Sequence, residues 1–313
     1  MNWRATHVLT SRRDLVIVPN SSIAKSKIVN VSFPSGIHGI AVAVQLGSRT
    51  PPATGANILE LALLNSRSIL AIPRPTVRVV SIDAAQTGYE LTFFVEQLGS
   101  ATEAQNELFD LIFRHVTAAG SNLALPKDRP FQARDDEALK TEKLGSDHVL
   151  DLVAIFATLT PNERAAIAVK LKPAFYEKGE TLVEPGTVLQ SLFIVGYGVL
   201  SVTRRDSGGE TELLRFGPGD TFGGTGLLTG ASSGANITAL APSTVYELAK
   251  TDLAPILEAR PQIAQELSRA LAQQQNAGRG LAAVERDETE EKGRLSAWFF
   301  KRIHELFDLR GAN

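Results

Sequence analysis

The chain of 313 residues is long enough for two or three domains, and its 43% hydrophobic and 21% charged content are those of a folded globular protein rather than a disordered or fibrous one. A net charge of −2 gives no global field for nucleic acid, and the one basic cluster, Arg4, Arg12, Arg13, Lys25 and Lys27 against Asp14, reads as a solvated strand edge. The absence of cysteine excludes disulfides, thiolate metal sites and cysteine nucleophiles, and the five scattered histidines form no HExxH spacing, so no metal site is expected.

The chain opens on MNWRATHVLTSRR, which lacks the apolar core of a signal peptide, and no run approaches the roughly 18–20 apolar residues of a membrane span. As given, the chain is expected to be cytoplasmic. Thr6–Thr10 and Asp14–Val18 read as the arms of a hairpin stopped by Pro19 and Asn20, with extended chain continuing to Pro34. IAVAVQLG is an alternating strand, and GANILELALLNSRSIL places Ile58, Leu61, Ala62, Asn65 and Ile69 near one helical face. TVRVVSIDAAQTGYELTFFVEQ predicts strand, turn and strand with Gln86, Thr87 and Gly88 as the turn, and ATEAQNELFDLIFRHVTAAG an amphipathic helix closed by Gly120. Residues 1–36 thus read as a short β-rich segment and 37–126 as an α+β sandwich.

The polar tract 127–147 is the expected linker. From 148 to 275 the pattern changes. VLDLVAIFATL predicts a helix, Thr160-Pro161 starts another, and short strands separated by glycines then predict a β barrel or jelly roll with two helical tracts after it. Residues 276–313 are an acidic segment followed by a helix bearing Phe299, Ile303 and Leu306 at helical spacing. That stripe would pack on a membrane surface, on its own domain or on a neighbouring copy in an oligomer. The fold class is therefore α+β, with a jelly roll and flanking helices.

FGGTGLLTGASSGANITAL, Phe222 to Leu240, has the glycines of a phosphate loop and no charged side chain. Glycines at 223, 224 and 226 would let backbone amides converge on an anion at a helical turn; equally, they would serve a tight barrel corner. Asp83, Glu90, Glu96 and Asp110 supply scattered carboxylates but no paired acid, base and nucleophile, so no enzyme is expected.

Two resemblances join these observations. RRDLVIVPNSSIAKSKIVNVS, PTVRVVSIDAAQTGYELTFFVE and AGSNLALP resemble the β domain and the α+β vestibule domain of the small-conductance mechanosensitive channel family. GETLVEPGTVLQSLFIVGYGVLSV, FGPGDTFGG and LLTGASSGANITALAPSTVYELAKTDLAPIL resemble cyclic-nucleotide-binding domains. Together they are similar to bacterial cyclic-nucleotide-gated channels of the mechanosensitive type. The resemblance implies the cytoplasmic regulatory portion of a channel at the inner membrane, assembled as a homo-oligomeric ring through its vestibule domains. It also implies that a membrane pore precedes the β domain, with Met1 falling midway through that domain. The alternative is a stand-alone soluble sensor of a cyclic nucleotide or other small ligand.

The resemblance assigns the ligand cassette, for cAMP or cGMP, to Gly223, Gly224, Thr225, Gly226, Leu227, Ser233, Gly234, Ala235 and Asn236. The family carries a glutamate for the ribose hydroxyl where Gly224 stands and an arginine for the cyclic phosphate where Ser233 stands. A hydrogen bond to a charged group contributes about 1.5–3 kcal/mol, so loss of the phosphate partner alone implies roughly ten- to hundredfold weaker binding.

Overall fold

The structure, a computed structural model, describes residues 4–10, 13–27, 35–124, 146–157, 159–206, 208–259, 261–274 and 292–306. Strands β1 (Ala5–Leu9) and β2 (Leu15–Pro19) pair antiparallel, with Ala5 opposite Pro19 and Leu9 opposite Leu15. The extended continuation expected after Pro19 is replaced by a short helix, α1 (Asn20–Lys25), for which Pro19 is the N-cap. Its last turn is tied by the Ser26 hydroxyl, which donates to the Ser22 carbonyl at 2.7 Å.

The next unit contains β3 (His38–Gly47), α2 (Pro52–Asn65), β4 (Thr76–Ile82), β5 (Gln86–Val95) and α3 (Ala101–Ala118), its sheet running β3-β5-β4 with antiparallel pairing. Alternation along β5 sends Tyr89, Leu91, Phe93 and Val95 to one face, where Ile58, Leu59 and Ala62 of α2 and Leu108 and Ile112 of α3 meet them. Helix α2 starts earlier than its apolar pattern because Pro52 stands at its first position, where a missing N–H costs nothing. Gln86, Thr87 and Gly88, expected as a turn, belong to β5. The turn is instead made by Asp83, whose Oδ1 accepts from the amides of Ala85 at 2.8 Å and Gln86 at 2.9 Å.

Where α2 ends, Glu107 of α3 accepts from the Ser66 hydroxyl at 2.7 Å and from the amides of Arg67 and Ser68, both at 3.2 Å. Burial alone would raise the Glu107 pKa, but hydrogen bonds from Ser68, Ser66 and Arg67 outweigh it and hold the carboxyl below its ordinary value.

The expected linker lies outside the described residues apart from its last two, which open α4 (Ser146–Leu152). The helix expected through VLDLVAIFATL ends there and gives way to a 3-10 turn at Ala154–Phe156, which keeps Leu150, Val153 and Phe156 all in the core. Helix α5 (Pro161–Ala168) follows, and its Thr160 and Glu163 form a reciprocal capping box. Strands β6 (Lys172–Tyr176), β7 (Thr181–Val183), β8 (Ser191–Tyr197), β9 (Leu200–Asp206), β10 (Gly209–Phe216), β11 (Thr221–Phe222), β12 (Asn236–Ala239) and β13 (Ser243–Ala249) form two four-stranded antiparallel sheets. Their orders are β10-β9-β12-β7 and β11-β8-β13-β6, with Val183, Val195, Val202, Phe216, Phe222, Ile237 and Val245 in one cluster inside the roll.

A short helix α6 (Gly224–Thr229) interrupts the strands, and α7 (Lys250–Ala259), α8 (Pro261–Gln274) and α9 (Lys292–Leu306) follow them. Of the three destinations open to the last helix, its own domain is the one it takes: Phe299 and Ile303 are fully buried in a cluster with Leu227, Leu228, Leu253 and Ile263. Of the tract 276–313, residues 276–291 and 307–313 lie outside the described residues. Among the described residues no helix is long and apolar enough to cross a membrane.

The α+β core can be probed at two positions. A β-carbon at Gly55 would overlap the hydroxyl of the fully buried Tyr89, which donates to the Pro52 carbonyl at 3.2 Å. Gly55→Ala is therefore expected to destabilise the chain by about 1–3 kcal/mol in denaturant unfolding. Adding Tyr89→Phe should restore part of that loss; simple additivity of the two changes would show that the overlap does not matter. The second position is His115, 1% exposed, whose pKa is pushed down to about 3 by burial first and by the neighbouring Arg114 guanidinium second. Below pH 6.5 the unfolded chain takes up this proton and the folded one does not, so stability is fully present above that value and falls toward pH 3, by up to about 1.4 kcal/mol per pH unit. Comparing unfolding of the parent and His115→Gln between pH 7.5 and 5, above the carboxylate range, should give the flatter profile in the variant.

Candidate functional site

The glycine loop occupies one corner of the roll, where β11 pairs with β8, Phe222 opposite Phe193. The Phe222 ring stacks on Phe193 at 5.1 Å and on Phe216 at 5.5 Å between centroids, which fixes the corner from the core side. Gly223 then turns the chain through the left-handed region, at φ 86°, to cap α6. A side chain there would be strained by the backbone and would also lie 2.5 Å from the Ser191 carbonyl and 2.9 Å from the Phe193 ring.

Gly224, Thr225 and Gly226 form the first turn of α6, whose amides have no carbonyl within the helix to serve. Gly226 also permits a close backbone approach, since a β-carbon would lie 2.8 Å from the Leu189 carbonyl. The side chains of Leu227 and Leu228 enter the helical core, so Leu227 offers the corner its backbone alone. At Gly230, φ 71°, the helix ends. Gly223 and Gly230 thus make the left-handed turns expected of a tight corner, whereas Gly224 and Gly226 lie within the helical turn.

Ser233 is 5% exposed, and its backbone is pinned on both sides: its amide donates to the Thr187 carbonyl and its carbonyl accepts from the Gly186 amide, each at 2.7 Å. The hydroxyl donates to the Ala235 carbonyl at 2.8 Å and accepts from the Ala235 amide at 3.2 Å. Committed to this local turn, it is a poor substitute for the charged fork of an arginine. Gly234 is exposed and Ala235 buried, while Asn236 is half-buried and donates from Nδ2 to the Thr238 hydroxyl at 3.2 Å.

A group missed by the sequence reading adds to the electrostatics. The Ser191 hydroxyl donates to Glu247 Oε1 at 2.6 Å, so a carboxylate lies on the same residue whose carbonyl faces Gly223. Glu247 looks in the sequence like one polar position of an alternating strand, and only the pairing of β13 with β8 brings it here. Among the described residues no group of three potential metal ligands gathers. Gly223, Gly224, Gly226 and Leu227 are buried at this corner, and no residue from 222 to 240 carries a charged side chain.

Residues 173–260, which include this corner, match the model of the cyclic nucleotide-binding domain, and residues 1–33 match that of the mechanosensitive ion channel β-domain. A probable transcriptional regulator flp of Lacticaseibacillus casei is 33% identical over 117 residues, covering 37% of this chain and 53% of that one. Cyclic nucleotide-gated channel alpha-4 of Mus musculus is 31% identical over 134 residues, covering 40% and 23% respectively. The crystal structure of the N-terminal domain of a transcriptional regulator from Streptomyces coelicolor A3(2) is 28% identical, covers 42% of this chain and 92% of that one, and superposes with a TM-score of 0.36. The chain thus spans about half or less of these curated relatives. It carries an α+β fold containing a cyclic-nucleotide-binding-like module related to transcriptional regulators and kinase regulatory subunits, joined to a short segment matching a mechanosensitive-channel domain.

Proposed function

We propose that the chain is a regulatory sensor module whose roll engages a cyclic nucleotide, cAMP or cGMP, or a related small ligand, at the corner formed by residues 223–227 and 233–236, and with low affinity. The observation that carries this reading is the match of residues 173–260 to the cyclic nucleotide-binding domain. Gly224 and Ser233 stand where the resemblance puts that family's two charged anchors, which supports a low affinity. Regulation rather than catalysis accords with the relatives, which are by name transcriptional regulators, cyclic nucleotide-gated channels and the regulatory part of a cAMP-dependent protein kinase.

A second reading, the cytoplasmic portion of a mechanosensitive-type channel that assembles as a ring, draws on the match of residues 1–33 and the resemblance of the α+β unit to a vestibule. In that reading the native gene product stays with the membrane fraction after carbonate washing. Recovery of all of it in the soluble fraction would contradict the channel reading.

Calorimetric titration of the purified chain with cAMP and with cGMP is expected to give dissociation constants at least about tenfold weaker than the same chain carrying Gly224→Glu and Ser233→Arg, from the loss of one charged anchor. Low-micromolar binding by the parent would refute the low affinity, and a double variant that folds without gaining affinity would refute the placement of the anchors.

A further inference from the structure

The α+β unit and the roll meet at a turn that none of the matched cassette residues includes, Gly217 to Asp220 between β10 and β11. From α3, Arg114 donates through Nε to the Pro218 carbonyl at 2.8 Å and through a terminal nitrogen to the Gly217 carbonyl at 3.5 Å, and pairs with Asp220 Oδ1 at 2.7 Å. From the roll, Arg215 reaches the other way and donates to the carbonyls of Leu64 at 2.6 Å and Ser66 at 3.1 Å, the C-terminal end of α2. Its other nitrogens bind Glu212, at 2.8 and 2.9 Å. A guanidinium on the last carbonyls of a helix satisfies groups the helix cannot and meets the negative end of its dipole. Between the two arginines Gly217 lies so close to the buried Asn65 amide that a β-carbon would overlap Nδ2.

The same turn is fastened to the roll. The Gly217 amide donates to Asp220 Oδ2 at 2.8 Å, the Gly219 amide to the Val195 carbonyl at 2.8 Å, and the Val195 amide to the Asp220 carbonyl at 2.9 Å. Asp220 therefore bonds α3 through its side chain and β8 through its backbone. Two residues later Phe222 stacks on Phe193, and the next residue is Gly223, where a β-carbon would lie 2.9 Å from that ring. Only a few hydrogen-bonded residues therefore separate the glycine corner from the ends of α2 and α3.

We propose that the Gly217–Asp220 turn is a mechanical joint coupling the glycine corner of the roll to the ends of α2 and α3, with Arg114 and Arg215 as its two fastenings. It gives the regulatory reading a route out of the roll, yet it depends on no bound ligand. Its test needs none either, so its failure and a failure to bind nucleotide are separate results.

The full chain is perturbed at the corner by Phe222→Leu, and amide hydrogen exchange is followed in residues 62–66 and 112–118, with 88–95 as an internal reference. The expected result is a rise in exchange of about tenfold at the two helix ends and little change in the reference. In the Arg114→Gln, Arg215→Gln background the extra exchange caused by Phe222→Leu should disappear. Equal increments in both backgrounds, or none in the parent, would overturn the joint. Should the double variant fail to fold, Arg114→Lys, which keeps the charge and loses the fork, replaces it; a full increment there would overturn the role of Arg114.

Discussion

Close approach of backbone to a neighbouring element, allowed by residues without side chains, is the constraint on which the rest of this structure depends. Gly55 lets α2 lie against the Tyr89 hydroxyl, and without that contact the helix could not descend onto the sheet that buries Leu91 and Phe93. Gly217 lets the roll approach Asn65, and Gly223 lets the corner fold over Ser191 and Phe193. The first two approaches are completed by hydrogen bonds, from Tyr89 to the Pro52 carbonyl and from Arg114 to the Gly217 and Pro218 carbonyls, and the third by the stacking of Phe222 on Phe193. The polar contacts between the α+β unit and the roll, with two guanidinium groups reaching carbonyls, follow from that choice.

At the glycine corner the same constraint defines what a ligand would meet. Leu227 and Leu228 of α6 enter the helical core while Thr225 and Thr229 are half-buried, so the helix brings no charged side chain to the corner. A main-chain cradle is sterically tolerant but carries only partial charges, so its discrimination among anions is weak compared with a site where a bidentate arginine fixes the phosphate.

Much of the fold was legible because its signals are local. The alternation of IAVAVQLG and TGYELTFFV, the Thr160-Pro161 start and the evenly spaced glycine turns each predict an element from within a few residues, and the structure contains β3, β5, α5 and the roll. The misses have equally local causes. NSSIAK has little apolar periodicity, so only the preceding proline marks α1, and Asp83 competes with QTG as a turn former through its side chain rather than through glycine. The glycines of the corner were readable as glycines, but which of them turn left-handed depends on the walls they meet. Arg114 and Arg215 were beyond reach for another reason: the carbonyls they reach in the other unit lie more than a hundred residues away, and nothing in a polar side chain's own neighbourhood announces a distant carbonyl.

The last described helix changes how the roll must come into being. Phe299 and Ile303 of α9 share a fully buried cluster with Leu228, Leu253, Leu257 and Ile263, so residues from the end of this sequence complete the layer on which α6 rests. During synthesis the two sheets can close as soon as β13 has emerged, but the hydrophobic seat of the glycine corner stays open to water until residue 303 has left the ribosome. The corner would therefore acquire its final stiffness last, and a nascent chain paused between α8 and α9 would expose apolar side chains that the finished protein hides.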